Sequence, residues 1–271
     1  MPELPEVETT LRGVRPFLDG AIVERLIVRN GRLRWPVPET LEEHVQGQRI
    51  GHPTRRGKYL LIPVGAGHLI VHLGMSGSLR IVDPTAPPRT HDHYDLVLDN
   101  RHSLRFHDPR RFGCLLWTED DPAQHPLISG LGPEPLDPGF SGAYLHVRAQ
   151  GRRQAVKTFL MDSRIVVGVG NIYASESLFR AGIAPQRVAG RIALVRYQRL
   201  AEAVRAVLSA SIEQGGTTLR DFVNESGQPG YFRQTLNVYD RAEAPCRVCQ
   251  TPIRVERLGQ RSTFWCPRCP R

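Results

Sequence analysis

The sequence predicts an α+β chain of two lobes. An antiparallel β-sandwich with a leading helix comes first, and a helical lobe ending in a metal-binding tail follows. Three observations predict this order. Between Ala21 and Trp117, apolar residues come in short runs broken by Gly, Pro and Asn, as in strands joined by turns. From residue 141 the apolar spacing becomes that of helices. Four of the five cysteines are gathered in the tail. With 271 residues and 40% hydrophobic content, the chain can build real cores, which excludes a disordered protein. No apolar run approaches the ~18–20 residues that span a bilayer. Three acids in the first eight residues oppose a secretory signal, so a cytosolic protein is expected.

Residues 5–18 place Val7, Leu11, Val14 and Leu18 at helical spacing. Pro5 suits the first turn, Asp19-Gly20 ends the segment, and Pro16 is expected to shorten or bend its last turn. Strands are predicted at 22–29, 58–64, 68–73, 78–82, 94–99, 103–107 and 112–117, with Asp99-Asn100 as a hairpin turn. Cys114 falls in an apolar strand and reads as core. These elements make a first domain over 1–118, and the Pro-, Gly- and Asp-rich stretch 119–140 reads as a linker. A helical lobe over 141–235 carries helices at about 141–149, 153–162, 171–181 and 191–214, with a polar, Gly-rich mobile loop expected at 215–235. Residues 236–271 form the tail.

Thirty-six basic against 27 acidic residues give a net charge of +9, which points to a polyanionic partner, usually nucleic acid. Lysine appears only twice, as Lys58 and Lys157, among thirty-four arginines. Arginine stays charged, whereas a lysine amine can exchange a proton. The two lysines are therefore either sites that need an amine or survivors of a codon bias.

Cys246-Arg-Val-Cys249 and Cys266-Pro-Arg-Cys269, sixteen residues apart, have the spacing of a four-cysteine site for one structural Zn2+. Two disulfides would be out of place in a cytosolic chain. Seven arginines against two glutamates over 241–271 suit a hairpin that touches phosphate, and a protein-binding ribbon is the alternative. At the other end, Met1-Pro2 is a processing signal. Removal of Met1 would leave Pro2 as a secondary amine able to attack an electrophilic carbon, with Glu3 beside it as acid or base.

Several motifs together resemble those of bacterial formamidopyrimidine-DNA glycosylases. They are Met-Pro-Glu-Leu-Pro-Glu-Val-Glu-Thr at 1–9, Arg-Asn-Gly-Arg-Leu-Arg-Trp-Pro at 29–36, Gly-Lys-Tyr-Leu-Leu at 57–61 and His-Leu-Gly-Met-Ser-Gly-Ser-Leu-Arg at 72–80. Asp-Pro-Arg-Arg-Phe-Gly at 108–113, Leu-Gly-Pro-Glu-Pro-Leu at 131–136, Val-Gly-Val-Gly-Asn-Ile-Tyr-Ala-Ser-Glu at 167–176 and Gln-Gly-Gly-Thr-Thr-Leu at 214–219 continue the series.

The resemblance implies a helix–two-turns–helix motif in the helical lobe and a zinc finger in the tail. It implies a monomeric, cytoplasmic, nucleoid-associated enzyme acting on double-stranded DNA that contains oxidised bases or abasic sites. It would excise 8-oxoguanine and formamidopyrimidines and then cleave the strand by β,δ-elimination. By family position, Pro2 is the nucleophile, Glu3 a general acid, and Lys58 and Arg261 catalytic. Glu6 shapes the site or the first helix. Met75, Arg110 and Phe112 fill the void left by an extruded nucleotide. His72, His91, Arg111, Arg152 and Asn171 contact phosphate. Tyr173 packs beside Asn171. Independently of the resemblance, Lys157 lies beside the apolar positions Val156, Phe159 and Leu160, and it is expected either to snorkel over the helix surface or, given the scarcity of lysine, to point an amine inward, supporting Glu3 or holding the leaving base. Two alternatives stay open: an endonuclease VIII-like enzyme for oxidised pyrimidines, and a non-catalytic damage-binding relative.

Overall fold

The computed structural model describes residues 2–216 and 235–270. They divide into two units: one runs to Ser129 and includes 214–216, and the other runs from Gly130 to Glu213 and resumes at 235. No helix among the described residues is long and apolar enough to cross a membrane.

The first unit opens with helix α1 (Leu4–Leu18). Its four apolar positions, Val7, Leu11, Val14 and Leu18, are each at most 1% exposed. Burying each contributes ~1.5–3 kcal/mol. Pro16 does not shorten the helix, which continues to Leu18 and closes with Asp19 N–H on the Arg15 carbonyl.

Among the described residues, eight strands then build two four-stranded antiparallel sheets. One has the order β1 (Val23–Val28), β6 (Asp92–Leu98), β7 (Ser103–His107), β5 (Ser78–Val82). The other runs β2 (Thr54–Arg56), β3 (Tyr59–Val64), β4 (Gly67–His72), β8 (Cys114–Thr118). Leu26, Leu96 and Leu104 from one sheet share a core with Ile62, Leu69, Val71 and Leu115 from the other. Cys114 is fully buried, and burial pushes its thiol up to about 12.

Two elements between Ala21 and Trp117 are additional to those the sequence predicts. Strand β2 is short and polar, and α2 (Leu41–Val45) is a single turn, so neither carries a periodic signal. The β6–β7 turn is also longer than Asp99-Asn100, since Leu98 N–H meets the His102 carbonyl with Arg101 left-handed between them.

The first sheet carries a buried ion network. Arg29 (3.0 and 2.5 Å) and Arg105 (2.8 and 2.7 Å) both bind Asp95 in pairs of hydrogen bonds. Arg80 and His107 bind Asp92. Burial pushes the Asp95 carboxyl up, but the two arginines outweigh it and hold it below its ordinary value. Asp92 is likewise net lowered, by the Arg89 N–H, His107 and Arg80 against its burial.

The second unit contains α3 (Gly142–Ala149), α4 (Val156–Leu160), α5 (Asn171–Arg180) and α6 (Leu194–Glu213). Two turns join α4 to α5, one closing Asp162 N–H on Phe159 and one closing Ile165 N–H on Asp162. The helix expected over 153–162 is shorter because Ala155 bridges Val188 and Val156 N–H bonds the Arg187 carbonyl. Those backbone groups are spent on the neighbouring segment. Arg152 and Arg153 therefore precede α4 rather than ride on it, and both are exposed. The loop expected at 215–235 falls almost wholly outside the described residues. The tail forms the hairpin β9 (Arg254–Leu258) and β10 (Arg261–Trp265).

Asp95→Asn should destabilise the sandwich by about 3 kcal/mol, because the buried Arg105 guanidinium and the partly buried Arg29 guanidinium lose the carboxylate they share. A carboxyl lowered on folding stabilises above its unfolded value and loses that contribution as acid titrates it. The urea midpoint of the wild type should therefore drop more between about pH 6 and about pH 3 than that of Asp95→Asn.

Candidate functional site

Pro2 and Glu3 lie at the start of α1, both buried, with Glu3 2% exposed. Glu6 turns back on them, accepting a hydrogen bond from Glu3 N–H at 2.9 Å, one half of a capping box. Glu6 is itself buried, and Gly216 approaches it so closely that an added Cβ would touch its side chain. One turn on, Glu8 accepts hydrogen bonds from Arg12 at 2.8 Å and Arg55 at 2.9 Å. Burial pushes Glu8 up, but the two arginines outweigh it and hold its carboxyl below the usual range.

Arg55 sits on β2 and also donates to the Gly57 carbonyl at 2.9 Å. Gly57 and Lys58 form the two-residue turn between Arg56 and Tyr59, with Gly57 left-handed at φ 60°. The ion pair thus fastens the first helix to the turn that carries Lys58.

His72, at the end of β4, is paired across the sheet with Tyr59. Burial, then the Lys58 ammonium, then the Arg34 guanidinium push its imidazole down to about 4. The ring is therefore neutral at physiological pH. Its Nδ1 accepts the Gly74 N–H at 2.9 Å, which leaves the proton on Nε2. A neutral Nε2–H beside two cations is a fixed donor for an anionic oxygen.

Met75 is half-buried in the loop after β4, while Arg110, Arg111 and Phe112 are exposed in the loop before β8. Phe112 is 43% exposed, a costly position for a large aromatic unless something covers it in use. The Arg110 guanidinium lies 4.9 Å above its ring. His91, also exposed, has a left-handed backbone, and its ring is 6.1 Å from that of His107.

In the second unit, Asn171 is the first residue of α5, and its Nδ2 donates to the Ser262 carbonyl at 3.0 Å. Its Oδ1 is buried without a hydrogen-bond partner among the described residues. Backbone N–H groups at such a helix start suit an anion. Tyr173 is core, bonded to Ser211 at 2.6 Å. Arg261 is exposed and opens β10 directly after the two-residue turn at Gly259-Gln260. Arg152 lies on the turn before α4.

Lys157 points inward, at 1% exposure. Its ammonium donates to Thr263 Oγ1 at 2.8 Å and to the Ser262 carbonyl at 3.1 Å. Lys157 and Asn171 thus grip the same strand beside Arg261.

The four cysteine sulfurs lie within 4.8 Å of one another, with Cys246–Cys269 at 3.7 Å and Cys249–Cys266 at 3.4 Å. Zn–S bonds of about 2.3 Å in a tetrahedron put sulfurs about 3.8 Å apart, so the set fits one zinc ion. Backbone N–H groups of Val248 and Cys269 face the thiolates of Cys246 and Cys266.

Family models match residues 1–115 as a formamidopyrimidine-DNA glycosylase N-terminal domain and 131–223 as its H2TH domain. The chain belongs to this family. Residues 244–269 match a zinc finger found in FPG and IleRS, and the tail holds one structural zinc ion. The chain is 64% identical to the formamidopyrimidine-DNA glycosylase of Methylococcus capsulatus and 58% identical to that of Marinobacter nauticus, each over the full length of both chains. Among solved structures it resembles Thermus thermophilus MutM (FPG), with TM-score 0.89, 38% identity, and coverage of 99% of this chain and 98% of that one. It also resembles a Lactococcus lactis FPG mutant in complex with Fapy-dG-containing DNA, with TM-score 0.93, 28% identity and both chains fully covered.

Against this glycosylase family, two anchors escaped sequence reasoning. Glu176, 3% exposed on α5, accepts from the backbone N–H groups of Asn237, Val238 and Tyr239 and from Asn237 Nδ2. It ties the turn segment entering the finger to the helix. Asp108, fully buried, holds the Arg110–Phe112 loop. Both lie inside quoted motifs, and their only signal is an acid among residues otherwise suited to DNA.

The neutral His72 carries a direct check. In a histidine-resolved NMR titration of the free protein its ring should protonate near pH 4. Lys58→Met should raise that value by removing a neighbouring cation.

Proposed function

We propose that this chain excises oxidised purines, 8-oxoguanine and formamidopyrimidines, from duplex DNA and then cleaves the strand at the abasic site. The observation that carries the reading is a full-length family match in which Pro2 and Glu3 stand buried at the start of α1 with Lys58 fastened to that helix. A DNA-binding relative without catalysis would not need that arrangement. The Lactococcus lactis relatives are described with Fapy-dG-containing and abasic-site-containing DNA.

Reaching the glycosidic bond requires extruding the nucleotide. Met75 and Phe112 serve as apolar wedges in the vacated stack, and Arg110 hydrogen-bonds the orphaned cytosine. With Met1 removed, the Pro2 nitrogen lone pair attacks C1′. The C1′–N bond breaks, and its electron pair leaves with the base, which takes up a proton. The Pro2 nitrogen gives up its proton, its recovered lone pair opens the C1′–O4′ bond, O4′ is protonated, and an iminium joins Pro2 to C1′. Glu3 serves as the acid.

The iminium acidifies the C2′ proton. Its removal sends electrons through the enamine to expel the 3′ phosphate, and a second elimination expels the 5′ phosphate. Water then releases Pro2 from the sugar remnant. The Lys58 amine exchanges protons in these steps, and its charge also holds phosphate.

Neutral His72, His91, Arg111, Arg152 and Asn171 position the backbone. Arg261 clamps phosphate, since a guanidinium is a poor proton donor at neutral pH. Lys157 acts by holding β10, and with it Arg261.

Borohydride should trap the iminium as a covalent link between DNA and the N-terminal residue. A variant whose N-terminus is blocked by an uncleaved tag should lose trapping and excision together. Full activity from such a protein would refute the nucleophile. Panels of duplexes carrying oxidised purines or oxidised pyrimidines would separate this reading from an endonuclease VIII-like preference.

Cys249→Ser, and Lys157→Ala by a different route, should both weaken binding to lesion and plain duplex together, by roughly tenfold in Kd. Unchanged affinity in a Cys249→Ser protein shown to lack metal would remove the finger from the binding surface.

A further inference from the structure

The two loops assigned to filling the void are joined beneath the surface by a single carboxylate. Met75 lies between Gly74 and Ser76, and Arg110 and Phe112 lie some thirty-five residues further on. Ser76 is 4% exposed, and its hydroxyl donates to Asp108 Oδ1 at 2.6 Å. The same Oδ1 accepts the Arg110 N–H at 3.3 Å, and Oδ2 accepts the Gly113 N–H at 2.8 Å. The Arg110 N–H also reaches Ser76 Oγ at 3.2 Å.

Backbone contact repeats this union. A Cβ on Gly74 would collide with the Phe112 carbonyl and Gly113 nitrogen. The Phe106 ring lies directly under Gly77 and Gly113, where side chains would strike it.

We propose that Asp108 and Ser76 are positioning residues that latch the Met75 loop and the Arg110–Phe112 loop into one preformed wedge. The proposal rests on the void-filling reading given above. Asp108 could brace its own turn through the Arg110 and Gly113 N–H groups alone. The Ser76 hydroxyl adds a charge-assisted bond from a separate loop, which local turn geometry does not require. Its effect is to hold Met75 and Phe112 in a fixed relation before DNA arrives, so that neither has to be ordered while the base leaves the stack. Neither Ser76 nor Asp108 touches the reacting atoms.

The test is a double-mutant cycle on the zinc-loaded, full-length protein, read as single-turnover excision of 8-oxoguanine from duplex DNA. Met75→Ala should slow excision. Ser76→Ala should slow it by about tenfold, the scale of one lost buried hydrogen bond to a charge. It should slow cleavage of a ready-made abasic site less. If Ser76 acts through Met75, the double variant should be no slower than Met75→Ala alone. A general loss of stability would instead multiply the two effects.

Multiplied effects, or a Ser76→Ala protein as fast as the wild type, would overturn the latch. A Met75→Ala protein at the wild-type rate would instead overturn the void-filling reading, and the latch with it. Should Ser76→Ala fail to fold, Asp108→Asn runs through the same cycle, since it keeps the shape and removes the charge.

Discussion

Burial of α1 is the constraint on which the first unit depends. Four residues of one helix face vanish into a core shared with both sheets, so the helix has one seat and one rotation. Its start therefore holds Pro2 and Glu3 at one place, and the same helix presents Glu8 to Arg55. The Glu8–Arg55 pair then carries the positional information onward to β2 and the Gly57–Lys58 turn. A reactive amine at a frayed terminus would sample many positions. Here the helix start is buried, and Glu6 closes its first turn.

Electrostatics around the site are built by exclusion as much as by attraction. Burial keeps the His72 ring uncharged, and the neighbouring Lys58 and Arg34 cations add to that effect. Three cations side by side would repel one another, and the neutral ring removes one of them. Its tautomer is set by a backbone N–H rather than by a side chain, so the donor orientation belongs to the fold itself.

Much of this was legible in the sequence. The change of apolar period, the strand runs and the paired cysteine knuckles predict the elements and the metal, because each rests on a local repeat or spacing. The stretch 153–162 has the apolar spacing of one helix, but Ala155 and Val156 spend their backbone groups on 187–188, a partnership with no local trace. Lys157 shows the same limit. Its scarcity marked it and its inward direction was inferred, but its partners, Ser262 and Thr263, lie about a hundred residues away. Asp108 and Glu176 were hidden for a related reason: a buried acid that serves backbone N–H groups looks, in sequence, like any other acid.

The finger's anchorage also bears on how such a module could be inherited. The described hairpin has a small core of Val238, Ile253, Cys246 and Cys266, with Phe179 of α5 packed against it. The Glu176 carboxylate, the Lys157 ammonium, the Asn171 amide and Gln186, which donates to Glu256, add to its footing. The matching zinc finger is one found in both FPG and IleRS. The finger family thus occurs in two settings, whereas the Glu176 and Lys157 that seat it in this chain lie outside the finger. A tail transplanted without their helices would carry its four cysteines along but leave behind the Glu176 and Lys157 contacts that seat the strand of Arg261.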